Sequence, residues 1–343
     1  MKRRPFLKIA GLTAGQCAVG LKSSFGSENS EAYPTRILGR TGEKVSIVGL
    51  PGLSFTHDEQ EKCNRTMKQA QEQGINFFDN APAYGKDGDC EKKMGIGMKG
   101  IDRDKVFLAC KTKMRDKEGA RMELERSLKR LNTDHFDLYQ MHYMRKDEEV
   151  EQAFGPNGVM ETMFKAQKEG KIRFIGFSSH TTKSALKALQ QFNFDTIMFP
   201  INFIENHIFG FGSDVTQLAK EKGTAVLAMK TMCGGLWPEG VERTRKWWYR
   251  PLEDQETINM AVRYSLSQPS VAVAIPPGFI DLFEKAVVAG RHYHPITKEE
   301  SEKLTSIAST GLSVFKRQQI AHAGPLPSCQ ADDYFKYCPC AHA

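Results

Sequence analysis

Residues 106–142 read VFLACKTKMRDKEGARMELERSLKRLNTDHFDLYQMH. Val106–Cys110 is an apolar run of strand length that ends on Lys111. In Lys117–Leu131, Leu124, Leu128 and Leu131 recur at helical spacing, and most of the other positions are charged. Phe136–Met141 is a second apolar run and ends on His142. A strand, an amphipathic helix and a second strand read as one βαβ unit, because parallel strands need a long crossover connection.

The pattern extends in both directions. Upstream, a turn around Arg40–Lys44 precedes a strand over Val45–Leu50. A polar helix over Asp58–Gln73 stops at Gly74 and leads into Ile75–Asp79 and a helix at Glu91–Gly97. Downstream come helix Val159–Glu169, strand Ile172–Phe177, helix Thr182–Gln191 and strand Thr196–Ile201. Helix Ser213–Lys222, strand Thr224–Met229, helix Thr257–Ser267, strand Val271–Ile275 and helix Ile280–Ala289 complete the series. Eight strands, each with a following helix, predict an α/β fold: a (β/α)8 TIM barrel with a short N-terminal hairpin and a C-terminal tail. An open doubly wound sheet is the alternative. No strand leads into a GxGxxG turn, and Gly95-Ile96-Gly97 falls in or at the end of a helix. The expected division is an export segment over 1–30, a barrel over 36–290 and an extension over 291–343.

Composition agrees with one large globular body. The chain has 343 residues, 40% hydrophobic and 26% charged, which excludes a disulfide scaffold, a collagen-like fibre and a disordered chain. The net charge is +7. Residues 1–30 hold Lys2, Arg3, Arg4, Lys8 and Lys22 against one acid, Glu28. The remainder has 43 bases against 40 acids, or +3, which argues against a nucleic-acid partner. The basic start and the apolar stretch Ile9–Leu21 have the layout of an export signal, and the stretch is short for a membrane span. Arg3-Arg4-Pro5-Phe6-Leu7-Lys8 resembles a twin-arginine signal. It implies the twin-arginine export machinery as a partner and a bacterial periplasmic location, at the inner membrane if the signal is retained. A disordered basic tail is the alternative.

Polar residues stand where strands end. In a barrel all strand C-termini share one face, where reactive groups gather. Asp79, Lys111 and His142 occupy such ends, with Tyr84 just past Asp79. A phenol titrates near pH ~10, and a nearby ammonium favours its phenolate. Lys111 can supply that cation, Asp79 can hold it, and His142 can bind a carbonyl oxygen or complete a proton relay. That set suits general acid catalysis with stabilisation of a developing alkoxide. A structural Asp–Lys pair beside an unrelated Tyr is the alternative.

Gly74-Ile75-Asn76-Phe77-Phe78-Asp79-Asn80-Ala81-Pro82-Ala83-Tyr84-Gly85 resembles the aldo-keto reductase signature. So do Asp137–His142, Lys171–Ser178 and Ala228–Gly235. The resemblance implies NAD(P)H-dependent reduction of a small-molecule aldehyde or ketone. It assigns Asp79, Tyr84, Lys111 and His142 to the catalytic tetrad, with Tyr84 as general acid. It also implies NADP or NAD contacts from Ser178, Ser179, Asn202, Lys230, Gly278 and Glu284. The family's Ser-Asn after the fifth strand is Ser178-Ser179 here, and its sixth-strand Gln and Tyr are Met198 and Ile201. The last strand lacks the immediate basic residues that grip a 2′-phosphate, so NAD and NADP both stay open. Those departures keep a second class in view: a barrel that has lost nicotinamide chemistry and acts in binding or maturation.

The long loop after the seventh strand carries Arg245-Lys246-Trp247-Trp248-Tyr249-Arg250. Trp247, Trp248 and Tyr143 are candidate substrate walls, and the basic run is a candidate anion attractor; a packed surface flap is the alternative. Seven cysteines follow the signal without disulfide-dense spacing, and no metal-ligand set is read in the body. Cys329, Cys338 and Cys340 are compatible with a disulfide, a bound metal or free thiols. A monomer is expected.

Overall fold

The computed structural model describes residues 32–316. The export-like segment and Cys329, Cys338 and Cys340 lie outside the described residues. The chain opens with an antiparallel hairpin, β1 (Thr35–Ile37) and β2 (Lys44–Ser46), turned at Gly42 with φ +76°. Eight parallel strands follow: β3 (Leu50–Pro51), β4 (Phe77–Asp79), β5 (Phe107–Thr112), β6 (Phe136–Met144), β7 (Ile172–Ser179), β8 (Thr196–Pro200), β9 (Ala225–Met229) and β10 (Val271–Ile275). Each pairs with the next. The ring closes where Gly49 donates its N–H to the Ala274 carbonyl at 3.0 Å and Ala274 donates to Ile47 at 2.8 Å.

Around the ring lie α1 (Gln60–Glu72), α2 (Asp89–Gly97), α3 (Lys117–Arg130), α4 (Asp147–Phe154), α5 (Val159–Lys168) and α6 (Thr182–Gln191). Then come α7 (Phe203–Phe209), α8 (Ser213–Glu221), α9 (Gln255–Leu266), α10 (Ile280–Arg291) and α11 (Lys298–Ser309). The (β/α)8 barrel and its hairpin are as the sequence predicts.

One strand boundary needs correction. The expected strand Val45–Leu50 is two elements with different partners. Val45 belongs to the hairpin, and only Leu50–Pro51 pairs with β4. Both parts are apolar and buried, so hydrophobicity alone merges them. The hairpin plugs the bottom of the barrel: Leu38 and Val45 pack with the inward-facing Phe77, Phe107, Leu138 and Leu227. A separate cluster fills the space between strands and helices, so one strand face feeds each core.

Helices α4, α7 and α11 are absent from the sequence reading. α7 is seven residues long and is held at its start by Asn202, whose side chain accepts the Glu205 N–H at 3.0 Å. α11 starts on a capping box made by Thr297 and Glu300 and packs against α7 and α9.

Gly95 sits in α2, where an added Cβ would lie 1.9 Å from the Arg130 carbonyl oxygen. Helix propensity favours Ala over Gly by about 1 kcal/mol. Overpacking against backbone costs about 1–3 kcal/mol, so the clash outweighs the propensity. Gly95→Ala is therefore expected to lower unfolding free energy in urea; an unchanged or higher value would show that α2 and α3 can separate freely.

Candidate active site

Alternation along the strands decides what enters the barrel. Phe77, Ala109 and Leu138 face inward and form the interior cluster. Asp79, Lys111 and His142 share their parity, farther along β4, β5 and β6. The register pairs Asp79 with Ala109 and Lys111 with Gln140. Each group thus stands two residues higher than the one before, following the stagger of a closed barrel. The turn after β4 brings Tyr84 back over them.

The four groups meet. Lys111 Nζ donates to Asp79 Oδ1, and also to the Asn80 carbonyl at 3.1 Å. The Tyr84 hydroxyl donates to Asp79 Oδ2 at 3.4 Å. Lys111 Nζ lies 4.9 Å from the Tyr84 ring centroid, and the His142 ring meets Tyr84 edge-on at 5.7 Å. Lys111 is 0% exposed and Asp79 1% exposed. Burial pushes the Asp79 carboxyl up, while the Lys111 ammonium, its hydrogen bond, His142 and Tyr84 pull it down. A buried ion pair of this kind depends on both partners, since removal of one strands the other.

Asp79, Tyr84 and His142 open into a cleft at the C-terminal end of the barrel. Its floor carries Ser178, Met198, Met229 and Ile275, again inward positions of their strands. Trp247, Trp248, Lys230 and Gly278 form part of its walls. The loop that supplies the tryptophans is pinned. Arg245 binds Asp281 through two nitrogens at 3.0 and 2.6 Å and Glu253 at 2.6 Å. The Arg245 charge is therefore already matched, and the aromatic run packs as a wall rather than a free basic patch.

Other expected contacts lie elsewhere. Ser179 has the outward parity of β7, and its hydroxyl donates to the Thr181 carbonyl at 3.0 Å and meets Ser184. Tyr143, at φ +63°, is not among the residues that line the cleft; its ring stands edge-on to His180 with centroids 4.7 Å apart, and the Arg145 guanidinium lies over its face. Glu284 is exposed on α10, along a separate groove shared with Gln69, Gln73 and Arg291 of the α1 side and helix end. Ile201 is buried against Gly212 outside the cleft lining. Ser178 and Gly278 stay in the cleft lining.

His180 is the residue that sequence reasoning missed. It lines the cleft, is 2% exposed, and its Nε2 lies 3.0 Å from Lys230 Nζ. The signal was present: His180 is two residues past Ser178 and so has inward parity. Burial, then the charges of Lys230, His142 and Arg145, hold its imidazole well below the ordinary range. It is neutral in the fold and protonates near pH ~6.5 when unfolded. The unfolded state therefore binds the extra proton as pH falls, and stability drops by up to about 1.4 kcal/mol per pH unit below that point. His180→Gln is expected to remove this part of the acid limb. Urea unfolding of both proteins across pH ~5–7.5 reads it; parallel curves would contradict it.

The residues present fit a nicotinamide dinucleotide. Ser178 offers a hydroxyl in the cleft, although it already accepts the Tyr143 N–H at 2.8 Å. At the same barrel end, Asn202 uses Oδ1 to cap α7 and leaves its Nδ2 donor buried without a partner. An unmatched buried amide donor suits a carboxamide oxygen. α10 begins after Gly278 with no side-chain bond from its capping residue Phe279, and a helix start of this kind favours phosphate.

Comparison with known proteins identifies the family and the fold. The model of the aldo/keto reductase family matches residues 49–308. The aldo-keto reductase YhdN of Bacillus subtilis is 32% identical over 212 residues, spanning 57% of this chain and 61% of that protein. The NADH-specific methylglyoxal reductase of Escherichia coli is 25% identical over 282 residues, 69% of this chain and 83% of that one. In fold, the holo form of an aldo-keto reductase from Bacillus halodurans superposes with a TM-score of 0.66 at 24% identity, covering 84% of this chain and 99% of that structure.

Proposed function

The chain belongs to the aldo/keto reductase family, and from that premise we propose that it is an NAD(P)H-dependent oxidoreductase that reduces an aldehyde or ketone to an alcohol. The observation that carries this reading is the convergence of Tyr84, Asp79, Lys111 and His142 at the cleft. A nicotinamide dinucleotide, when bound, supplies the hydride. Ser178, the Asn202 amide and the start of α10 would hold it.

The protein's own residues handle the proton. The His142 imidazole orients the carbonyl oxygen toward the Tyr84 hydroxyl. Tyr84 donates its proton to that oxygen as negative charge develops there. The Lys111 ammonium, 4.9 Å from the ring, stabilises the phenolate that remains. Asp79 fixes the ammonium in place. The tryptophan walls limit water at the reacting carbon.

Two observations favour a second reading, a binding barrel without redox chemistry. Ser179 faces away from the cleft, and an aliphatic thioether, Met198, lies in the floor where the family resemblance places a polar residue. Titration of tryptophan fluorescence with NADPH and NADH separates the two. Saturable binding together with carbonyl-dependent oxidation supports the reductase; binding of neither nucleotide supports the alternative.

For residues 1–30 we propose a twin-arginine export signal and a periplasmic site of action. The support is Arg3-Arg4 ahead of an apolar stretch. Fractionation of cells carrying Arg3→Lys and Arg4→Lys is expected to show retention in the cytoplasm. Unchanged distribution would refute it.

A further inference from the structure

We infer that Arg115 is a positioning residue for this reaction: its guanidinium fixes the bulged end of β6 and thereby the place of the His142 ring in the cleft. The inference rests on the reductase reading and adds to it the group that sets His142.

The strand ladder does not set His142. Between β6 and β7, Met141 pairs with Phe177 and Met144 with Ser179. His142 and Tyr143 therefore stand opposite the single Ser178, which makes a β-bulge. On the other side, the pairing of β5 with β6 ends at Thr112 and Met141. Tyr143 sits in the bulge at φ +63°, a left-handed conformation uncommon outside glycine. A bulge beside an active site re-aims a side chain, and contacts other than the ladder have to hold it.

Arg115 supplies those contacts. It lies in the loop between β5 and α3, and its Nη2 donates to the His142 carbonyl at 2.7 Å and to the Tyr143 carbonyl at 3.3 Å. From β7, the Ser178 hydroxyl accepts the Tyr143 N–H at 2.8 Å, so the bulge is held on two sides. The guanidinium is itself fixed. It is largely buried, Nη1 donates to the Lys113 carbonyl at 2.9 Å, and Nη2 lies 3.4 Å from Glu149 Oε1. Glu149 Oε2 in turn accepts the Arg145 N–H at 2.7 Å and the Lys146 N–H at 3.0 Å. The Arg115 carbonyl accepts the Val159 N–H at 2.9 Å, which ties its backbone to the start of α5. A planar fork reaches several acceptors from one fixed place, and a single ammonium does not. Misplacing a reacting group by about 1 Å costs about 10²-fold in rate. Arg115 does not line the cleft, so its effect runs through His142.

The test is a double-mutant cycle on a panel of aromatic and aliphatic aldehydes at saturating NADPH or NADH. Arg115→Met removes the fork, and Arg115→Lys keeps a charge opposite Glu149 while removing the fork. In the wild-type background Arg115→Met is expected to lower kcat/KM by about tenfold to 10²-fold, and Arg115→Lys by less. Added to His142→Gln, either change should cost less than about twofold, because the ring it places is already gone. A merely structural role lowers the rate by the same factor in both backgrounds. Nucleotide affinity, read by tryptophan fluorescence, should stay within about twofold of wild type. NMR of protein carrying isotope-labelled histidine gives a readout without turnover. The His142 ring signal, assigned by its absence from His142→Gln, should move in both Arg115 variants, while that of His207 on α7 stays in place. Equal loss in both backgrounds, wild-type kcat/KM in both Arg115 variants, or an unmoved His142 signal overturns the inference. If Arg115→Met does not fold, Arg115→Lys decides alone. If the wild type reduces no aldehyde, the reductase reading fails, and the His142 signal then decides whether Arg115 places that ring.

Discussion

Tyr84→Phe is expected to lower carbonyl turnover about 10²- to 10⁴-fold, the range for loss of a positioned general acid. Nucleotide affinity should change little, because the ring and its packing against His142 remain. Stability should also change little. The bond from the Tyr84 hydroxyl to Asp79 is 3.4 Å long, at the weak end of hydrogen-bond geometry. Loss of rate in a folded, nucleotide-binding variant can then be assigned to the proton. Steady-state kinetics and a fluorescence titration on the same preparation check both halves. Retained turnover would remove Tyr84 from the acid role.

Lys111→Met is expected to combine a chemical and a structural loss. Asp79 would remain 1% exposed with its cation gone. Breaking a buried pair by removing one partner costs about 3–5 kcal/mol, against about 0–1 kcal/mol for a surface pair. Urea unfolding at neutral pH should register the larger figure. The double variant Asp79→Asn, Lys111→Met should lose less stability than the sum of the single changes, because it leaves no charge stranded. Turnover should fall in both Lys111 variants. A single variant as stable as wild type would mean that the pair exchanges freely with water, contrary to its burial.

Much of the site was legible because strand parity is legible. Asp79, Lys111 and His142 follow apolar runs that fix which face points inward, and the repeated βα period fixes the barrel that makes those ends converge. The same parity argues against Ser179 and for His180, a signal that comparison with the family's Ser-Asn pair obscured. The hairpin boundary was not legible. Val45 and Leu50 are equally apolar, and what separates them is the choice of partner strand, a long-range fact. α7 lacks the length for a clear helical period. The Arg245 latch joins residues 36 apart in sequence, so its basic run looks free until the loop is folded.

The central claim is that this cleft reduces a carbonyl with Tyr84 supplying the proton. The most direct measurement follows the label from nucleotide deuterated at C4 of the dihydronicotinamide, using a panel of aromatic and aliphatic aldehydes and mass spectrometry of the alcohols. The account predicts one deuterium on the carbinol carbon with the wild-type protein and nearly none with Tyr84→Phe over the same time. Absence of labelled alcohol across the panel with the wild type, or equal labelling by Tyr84→Phe, would contradict it.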